Sequence, residues 1–375
     1  MVKKKVFVVK KINESIRGKL TIKTIIVALL AFIGGYFFEC LGMYLPWMLG
    51  PLFVILIAKL KFSHYFYWSK NLRSLGLIIL GVQLGSAFTK EALAEMLHHL
   101  PIMLLSTAVI TVFTVLTGLL IAKWMNIRPG TSLLGSFPGG LSQMVILSEE
   151  LKDVDETVVA FMQTLRVILV ISIVPWLVTH VLSDDAVAVS PITDEHFFLL
   201  QYDWKFALLL LLVLIVFISL GKKIHFPLPH LLGPLLAATL FNLVGPGAPE
   251  VPSFWLNLSQ LMIGAHLGYT LKVDNLQLFK KMFGVIFVSN VLLIAFCYGM
   301  AVFLGHYVSI PVNELFLSLA PGGVAEMSVT ALSVHIDVST VTSFHLFRIL
   351  FILFLISPLI KWAALKKSVV SNRKV

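Results

Sequence analysis

Charged residues are scarce in this 375-residue chain: Asp, Glu, Lys and Arg together make up 13%, against roughly 25% in an ordinary soluble domain. Hydrophobic residues make up 58%, and the mean hydropathy is +0.94. Too little polar surface exists to cover that much apolar volume in water, which excludes a string of soluble domains and leaves a polytopic membrane protein. Cysteine is nearly missing. Cys40 and Cys297 are the only two, both in apolar segments, so neither a disulfide framework nor a cysteine-based metal site is expected. The eleven histidines are scattered, with no HxxxH set, whereas copper or iron chemistry needs clustered His or carboxylate ligands. No metal, no cofactor and no catalytic residue are therefore expected. Nor is a cleavable leader expected: Thr24 to Gly42 is long enough to span and lacks a clear small-residue cleavage site.

What is abundant is positive charge, and its placement decides its meaning. The formal net charge is +10, with eight basic residues among the first 24 positions, namely Lys3, Lys4, Lys5, Lys10, Lys11, Arg17, Lys19 and Lys23. Most of the others lie between apolar segments. That distribution sets membrane orientation, with anionic headgroups as counterions, and does not suit a nucleic-acid partner. Apolar runs predict segments near 24–42, 47–62, 74–88, 98–122, 131–149, 157–181, 205–221, 229–245, 256–272, 282–304, 313–333 and 340–360. The expected organisation is a basic cytoplasmic tail over 1–23, a first membrane repeat over 24–182, an acidic external linker over 183–204 (Asp184, Asp185, Asp194, Glu195 and Asp203), a second membrane repeat over 205–362 and a basic tail over 363–375.

The two halves repeat. Leu45-Pro46-Trp47-Met48-Leu49-Gly50-Pro51-Leu52 matches Leu228-Pro229-His230-Leu231-Leu232-Gly233-Pro234-Leu235, and Gly81-Val82-Gln83-Leu84-Gly85 matches Gly264-Ala265-His266-Leu267-Gly268. Pro138-Gly139-Gly140, followed by Gln143-Met144, matches Pro321-Gly322-Gly323, followed by Glu326-Met327. All three pairs share an offset of 183; from Asp155–Arg166 to Asp337–Arg348 the offset is 182. A constant offset through three Gly/Pro patterns points to duplication. If every segment crosses, seven basic residues fall outside and twenty inside. If the Pro-Gly-Gly segments enter and return, only Lys90 and Lys205 fall outside and twenty-five inside, with Arg166 and Arg348 within the membrane in both cases. The positive-inside rule then predicts two inverted repeats, each of about five spanning helices plus one broken or re-entrant segment, with both termini cytoplasmic.

Proline and paired glycines break a helix, and irregular backbone inside a membrane survives only when buried in protein or lining a wet cavity. A break exposes amides at one half-helix start and carbonyls at the other half-helix end. Paired breaks in corresponding positions of inverted repeats point to a transporter's substrate site; the alternative is a kink that serves close packing. The candidate substrate-binding residues are Pro138, Gly139, Gly140, Ser142 and Gln143 in one copy, Pro321, Gly322, Gly323 and Glu326 in the other, and the intramembrane Arg166 and Arg348. Glu326 is the expected partner of Arg348, so the three charges would sum to +1 and suit an anion. The opposing expectation is that each arginine ties broken-helix carbonyls to a span. Two further two-copy polar positions are Gln163 with His345 and Gln83 with His266. Glu326 and His345 are the candidates for a coupling proton, although a neutral packed His345 is equally compatible with the pattern. Asp155 and Asp337 precede spans and are expected to cap helices.

The duplicated Leu-Gly-Pro-Leu, Gly-x-x-Leu-Gly and Pro-Gly-Gly-x-x-x-Met patterns, over about residues 25 to 362, resemble the AbrB family of bacterial inner-membrane proteins. That resemblance implies kinship with the cation–proton antiporter and anion transporter superfamily, whose members use inverted repeats with interrupted helices. Family members also carry labels as regulators of gene expression and as ammonia monooxygenases. The name is shared with a small soluble DNA-binding regulator, to which nothing in this chain is similar. The resulting expectation is a multi-pass inner-membrane secondary transporter of a small solute, more an organic anion than a cation, working by alternating access. Its partners would be the lipid bilayer, the anionic substrate, a coupling proton or cation, and, as one arrangement, a second copy in a homodimer. The alternatives are a membrane protein regulating gene expression, directly or through a transported metabolite, and, more remotely, a monooxygenase.

Overall fold

The computed structural model describes residues 22–43, 45–62, 66–138, 144, 148, 151, 154–182, 204–224, 228–244, 247–249, 251–270, 276–352 and 355. The acidic joint before Trp204 and most of both tails lie outside the described residues. So do Gly139, Gly140, Ser142 and Gln143 of the first broken segment. Helices carry the described chain, and no strand occurs among the described residues, as an all-α polytopic membrane protein requires.

The first repeat holds α1 (Ile22–Cys40), α2 (Pro46–Phe62), α3 (Lys70–Ser86), α4 (Lys90–Met125), α5 (Pro129–Ser136) and α6 (Glu156–His180). The second holds α7 (Trp204–Lys223), α8 (Pro229–Val244), α9 (Ser253–Thr270), α10 (Leu276–Gly305), α11 (Val312–Leu319), α12 (Val324–Ser333) and α13 (Val338–Phe351). Among the described residues, α1, α4, α6 and most of α10 are long and apolar enough to cross a membrane. At about 1.5 Å per residue, the 36-residue α4 is longer than a bilayer core of about 30 Å. Its amphipathic first turns, capped by Thr89 Oγ1 accepting from Ala92 N–H at 3.2 Å, extend the predicted 98–122 segment back to Lys90.

The chain divides into two compact units that cut across the repeats. One comprises residues 1–83, 194–238 and 249–271; the other comprises 84–193, 239–248 and 272–375. Each unit thus takes matching segments from both halves.

In the first unit, pairing between the repeats is reciprocal and runs on glycine. Any Cβ on Gly81 of α3 would collide with the carbonyl oxygen of Leu231 in α8, and one on Gly264 of α9 would collide with that of Met48 in α2. With the 183 offset, these are the same contact made twice. Gly76 stands against Ser259, where a Cβ would come within 2.8 Å of the serine carbonyl, and these two are themselves matching positions, as residues on a twofold axis would be. The Leu-Gly-Pro-Leu motifs bring α2 onto α1 and α8 onto α7. A Cβ on Gly50 would press into the backbone of Gly34 and Gly35, and one on Gly233 would lie 3.0 Å from the backbone of Ile218. Close backbone approach by small residues is how membrane helices pack without a hydrophobic driving force.

The start of these helices is repeated in detail. Leu45 has φ of 50° and Leu228 has φ of 48°, a left-handed conformation costly for a branched side chain. Each precedes a proline at the first helical position, and each carbonyl accepts from the N–H groups three and four residues on: Met48 and Leu49 in one copy, Leu231 and Leu232 in the other.

Candidate functional site

The second Pro-Gly-Gly does break its helix. α11 ends at Leu319 with Ala320 extended (φ −52°, ψ 141°), and α12 begins after Gly323 (φ −84°, ψ 160°). In the first copy α5 ends at Ser136 with Phe137 extended (φ −61°, ψ 130°), followed by buried Pro138. Both half-helices therefore stop at matching positions inside apolar sequence, and both present C-terminal carbonyls that lack an intrahelical partner.

One arginine closes each of those ends. Arg166, on α6 and 4% exposed, donates from Nη1 to the carbonyls of Phe137 at 2.6 Å and Ser136 at 3.4 Å. Its Nη2 donates to Gln163 Oε1 at 2.7 Å. Arg348, on α13 and 3% exposed, donates from Nη1 to the carbonyls of Ala320 at 2.7 Å and Leu319 at 3.2 Å. Its Nη2 donates to the Gly322 carbonyl at 2.8 Å and meets His345 Nδ1 at 2.5 Å. Ser136 and Phe137 occupy the same repeat positions as Leu319 and Ala320. A positive charge at a helix C-terminus meets the negative end of its dipole, and charge-assisted bonds to main-chain carbonyls are the stronger class.

Gln163 and His345 complete the pattern with different chemistry. Gln163 Nε2 donates to the carbonyls of Leu134 at 2.7 Å and Phe137 at 3.0 Å while its Oε1 accepts from Arg166. His345 Nε2 lies 2.9 Å from the Leu317 carbonyl, which can only accept. Nε2 therefore carries the hydrogen, and Nδ1 is left as the acceptor for Arg348. This is the neutral tautomer, with both nitrogens occupied. A second proton would place Nδ1–H against the guanidinium, so the geometry favours the packed, neutral histidine over the proton carrier. An amide can do the same work. His345→Gln is accordingly expected to keep the melting temperature of purified protein within a few degrees of the parent, whereas His345→Leu, which takes the imidazole donor from the Leu317 carbonyl and one acceptor from Arg348, should cost about 2 kcal/mol.

Glu326 sits third in α12 and folds back over Gly323, where any Cβ would collide with its carboxylate. This is where a carboxylate suits the positive end of a helix. Arg348 is held by carbonyls and His345, and the charge of Glu326 acts on Arg166. Arg348 also acts on Arg166 through space, so the structure brings Arg166, Arg348 and Glu326 into one electrostatic neighbourhood within the second unit, α6 packing against both α11 and α12. Pro321, Gly322 and Gly323 lie at the break between α11 and α12, with Pro321 buried. Asp155 caps α6 through the N–H groups of Thr157 and Val158, and Asp337 caps α13 through those of Ser339 and Thr340.

Several polar groups of this unit escape sequence reading. Ser328 and Thr342 share a buried hydrogen bond at 2.7 Å between α12 and α13. Ser132 Oγ donates to the Gly118 carbonyl at 2.6 Å, tying α5 to α4. The Nε atoms of both arginines are buried and lack a hydrogen-bond partner. In an apolar run such serines and threonines look like ordinary helix residues, and only the facing helix reveals them.

A family model described as transition state regulatory protein AbrB matches residues 47–364. "Uncharacterized protein YhjN" of Bacillus subtilis (strain 168) is 26% identical over 353 residues, covering 87% of this chain and 89% of its own length. "Putative regulator AbrB" of Escherichia coli (strain K12) is 27% identical over 275 residues, covering 73% of this chain and 78% of its own length. No solved structure matches.

Proposed function

We propose that this chain, which belongs to the AbrB family, is a secondary transporter of a small organic anion that works by alternating access in the bacterial inner membrane, with both termini cytoplasmic. The observation that carries the reading is the duplicated helix break gathered into one compact unit with two buried guanidinium groups and one carboxylate. An uncompensated buried charge is costly, and an anion entering beside the breaks offsets the excess positive charge. The half-helix that begins at Val324 presents its amides on the same side of the break, and Glu326, at that helix start, is the remaining candidate for a coupling proton. Inverted repeats supply two related arrangements of the same parts, which is what a carrier open alternately to either face requires.

The two arginines support this reading differently from the simplest picture. Their Nη groups shape the site by holding the carbonyl ends of the broken helices, so the substrate meets amides and a preset positive field more than a free guanidinium fork. No catalytic step belongs to the proposal. Regulation of gene expression would follow here indirectly from the level of a transported metabolite; the name of the Escherichia coli relative, "Putative regulator AbrB", speaks of a regulator without saying of what.

Reconstitution tests the proposal. Purified protein in liposomes, under an imposed pH gradient, is expected to accumulate at least one member of a panel of small mono- and dicarboxylates, and Glu326→Gln should cut that uptake at least tenfold while leaving the melting temperature near that of the parent. Uptake across the whole panel that never exceeds empty vesicles would overturn it.

A further inference from the structure

The second unit contains a water-sized recess between α4, α5, α6 and α10, lined by Thr114, Thr117, Ser136, Ser289 and Asn290 against an apolar wall that includes Met162. Every polar side chain in its lining carries an oxygen. Thr114 Oγ1 donates to the Ile110 carbonyl at 2.7 Å, and Thr117 Oγ1 donates to the carbonyls of Phe113 at 3.0 Å and Thr114 at 3.1 Å. Asn290 Nδ2 donates to the Ile286 carbonyl at 2.8 Å. Thr114 and Thr117 thus commit their hydroxyl hydrogens to α4, and Asn290 commits one amide hydrogen to α10, which leaves their side-chain oxygens free to coordinate. Ser136 Oγ is buried there with no hydrogen-bond partner. Five oxygen-bearing side chains around one recess suit a hard cation, which takes oxygen ligands.

Charge fixes the class of cation. Among the described residues no carboxylate lines the recess, and the Ser136 carbonyl already receives Arg166. A divalent ion would have no formal counter-charge and would face a guanidinium, so a single charge is the most the site accommodates. The repeat supplies an internal control. At the 183 offset the counterparts of Thr114, Thr117 and Ser136 are Cys297, Met300 and Leu319, while Ser289 and Asn290 correspond to Ser106 and Thr107. The second copy has lost three of five oxygen donors, so the recess is a specialisation of one half and not a by-product of the fold.

We propose that this recess binds one sodium ion through oxygens of Thr114, Thr117, Ser136, Ser289 and Asn290, and that the ion is the coupling cation of the transport proposed above, the second clause resting on that reading. Binding beside Arg166 raises the local positive charge, so ion and organic anion favour one another's binding reciprocally.

The test uses the full chain in detergent with no organic anion present. Replacing choline chloride by sodium chloride at constant ionic strength is expected to raise the melting temperature by several degrees, saturably, as a specific ligand does by mass action, with potassium chloride far less effective. Asn290→Ala and Thr117→Val should abolish the sodium-specific rise. Equal curves in sodium, potassium and choline would overturn the site, as would a full sodium response in either folded variant. Should both variants fail to fold, equilibrium binding of radioactive sodium to the parent decides: one ion per chain supports the site, and none refutes it. A sodium-specific rise in a protein that transports nothing would leave the site standing and remove only the coupling role; carboxylate uptake without any sodium response would do the reverse.

Discussion

Arg348→Ala is expected to lower the stability of the detergent-purified protein by about 3–5 kcal/mol, the cost of removing one partner from a buried charged network. Four acceptors lose the guanidinium at once: the carbonyls of Leu319, Ala320 and Gly322 and the Nδ1 of His345. None of them can reach water without opening the junction between α11, α12 and α13. Lysine should recover little, because a single ammonium cannot copy a planar fork that serves carbonyls on both sides of the break. Arg166→Ala should cost less. Arg166 serves two carbonyls, of which Phe137 keeps a second donor in Gln163 Nε2 at 3.0 Å, whereas Arg348 serves three, of which Ala320 keeps the Gly322 N–H at 2.8 Å. Thermal unfolding of the three variants in parallel checks the order Arg348→Ala, Arg348→Lys, Arg166→Ala; an Arg348→Ala protein melting within a degree of the parent would refute the account of the junction.

Gly50→Ala is expected to be the most damaging single-methyl insertion in the first unit, at about 3 kcal/mol, the upper part of the usual range for overpacking. The added carbon would lie 2.8 Å from Gly35 N and closer still to the carbonyl of Gly34. These are backbone atoms of α1, and no rotamer change relieves them. The contrast is Gly284→Ala on α10, where nothing lies within 4 Å of the new carbon. There the helix gains alanine's better propensity, and stability should hold or rise by about 1 kcal/mol. Chemical denaturation or thermal melts of both variants check the pair. Equal effects would mean that the close approach of α1 and α2 is not what Gly50 is for.

Much of this architecture is legible in the sequence because its signals are local. Proline at 46 and 229 starts two helices, Asp155 and Asp337 cap two more, and Pro321-Gly322-Gly323 stops a helix where it stands. These features depend on a few neighbouring residues. The arginines are different. Their position in apolar segments is visible, but their partners are main-chain carbonyls 26 to 30 residues upstream, and a carbonyl leaves no mark in sequence. Glu326, the acidic side chain closest in sequence to Pro321-Gly322-Gly323, is the partner that sequence offers Arg348. The division into units is equally hidden. Hydropathy finds each segment and the offset finds the duplication, yet neither tells that Gly81 meets Leu231 while Gly264 meets Met48. Tertiary pairing between repeats carries that information, and only the glycines hint at it.

Because each unit is assembled from matching segments of both halves, neither half contains a complete core. A polypeptide with one half alone would have to find another copy of itself before either unit could close, and its folding would depend on concentration. Tandem fusion turns that encounter into an intramolecular one and fixes the stoichiometry at one to one. It also ends the requirement that both copies stay alike. A histidine can stand in for a glutamine at one junction, and three oxygen donors can lapse in one copy, without the same change being forced on its twin.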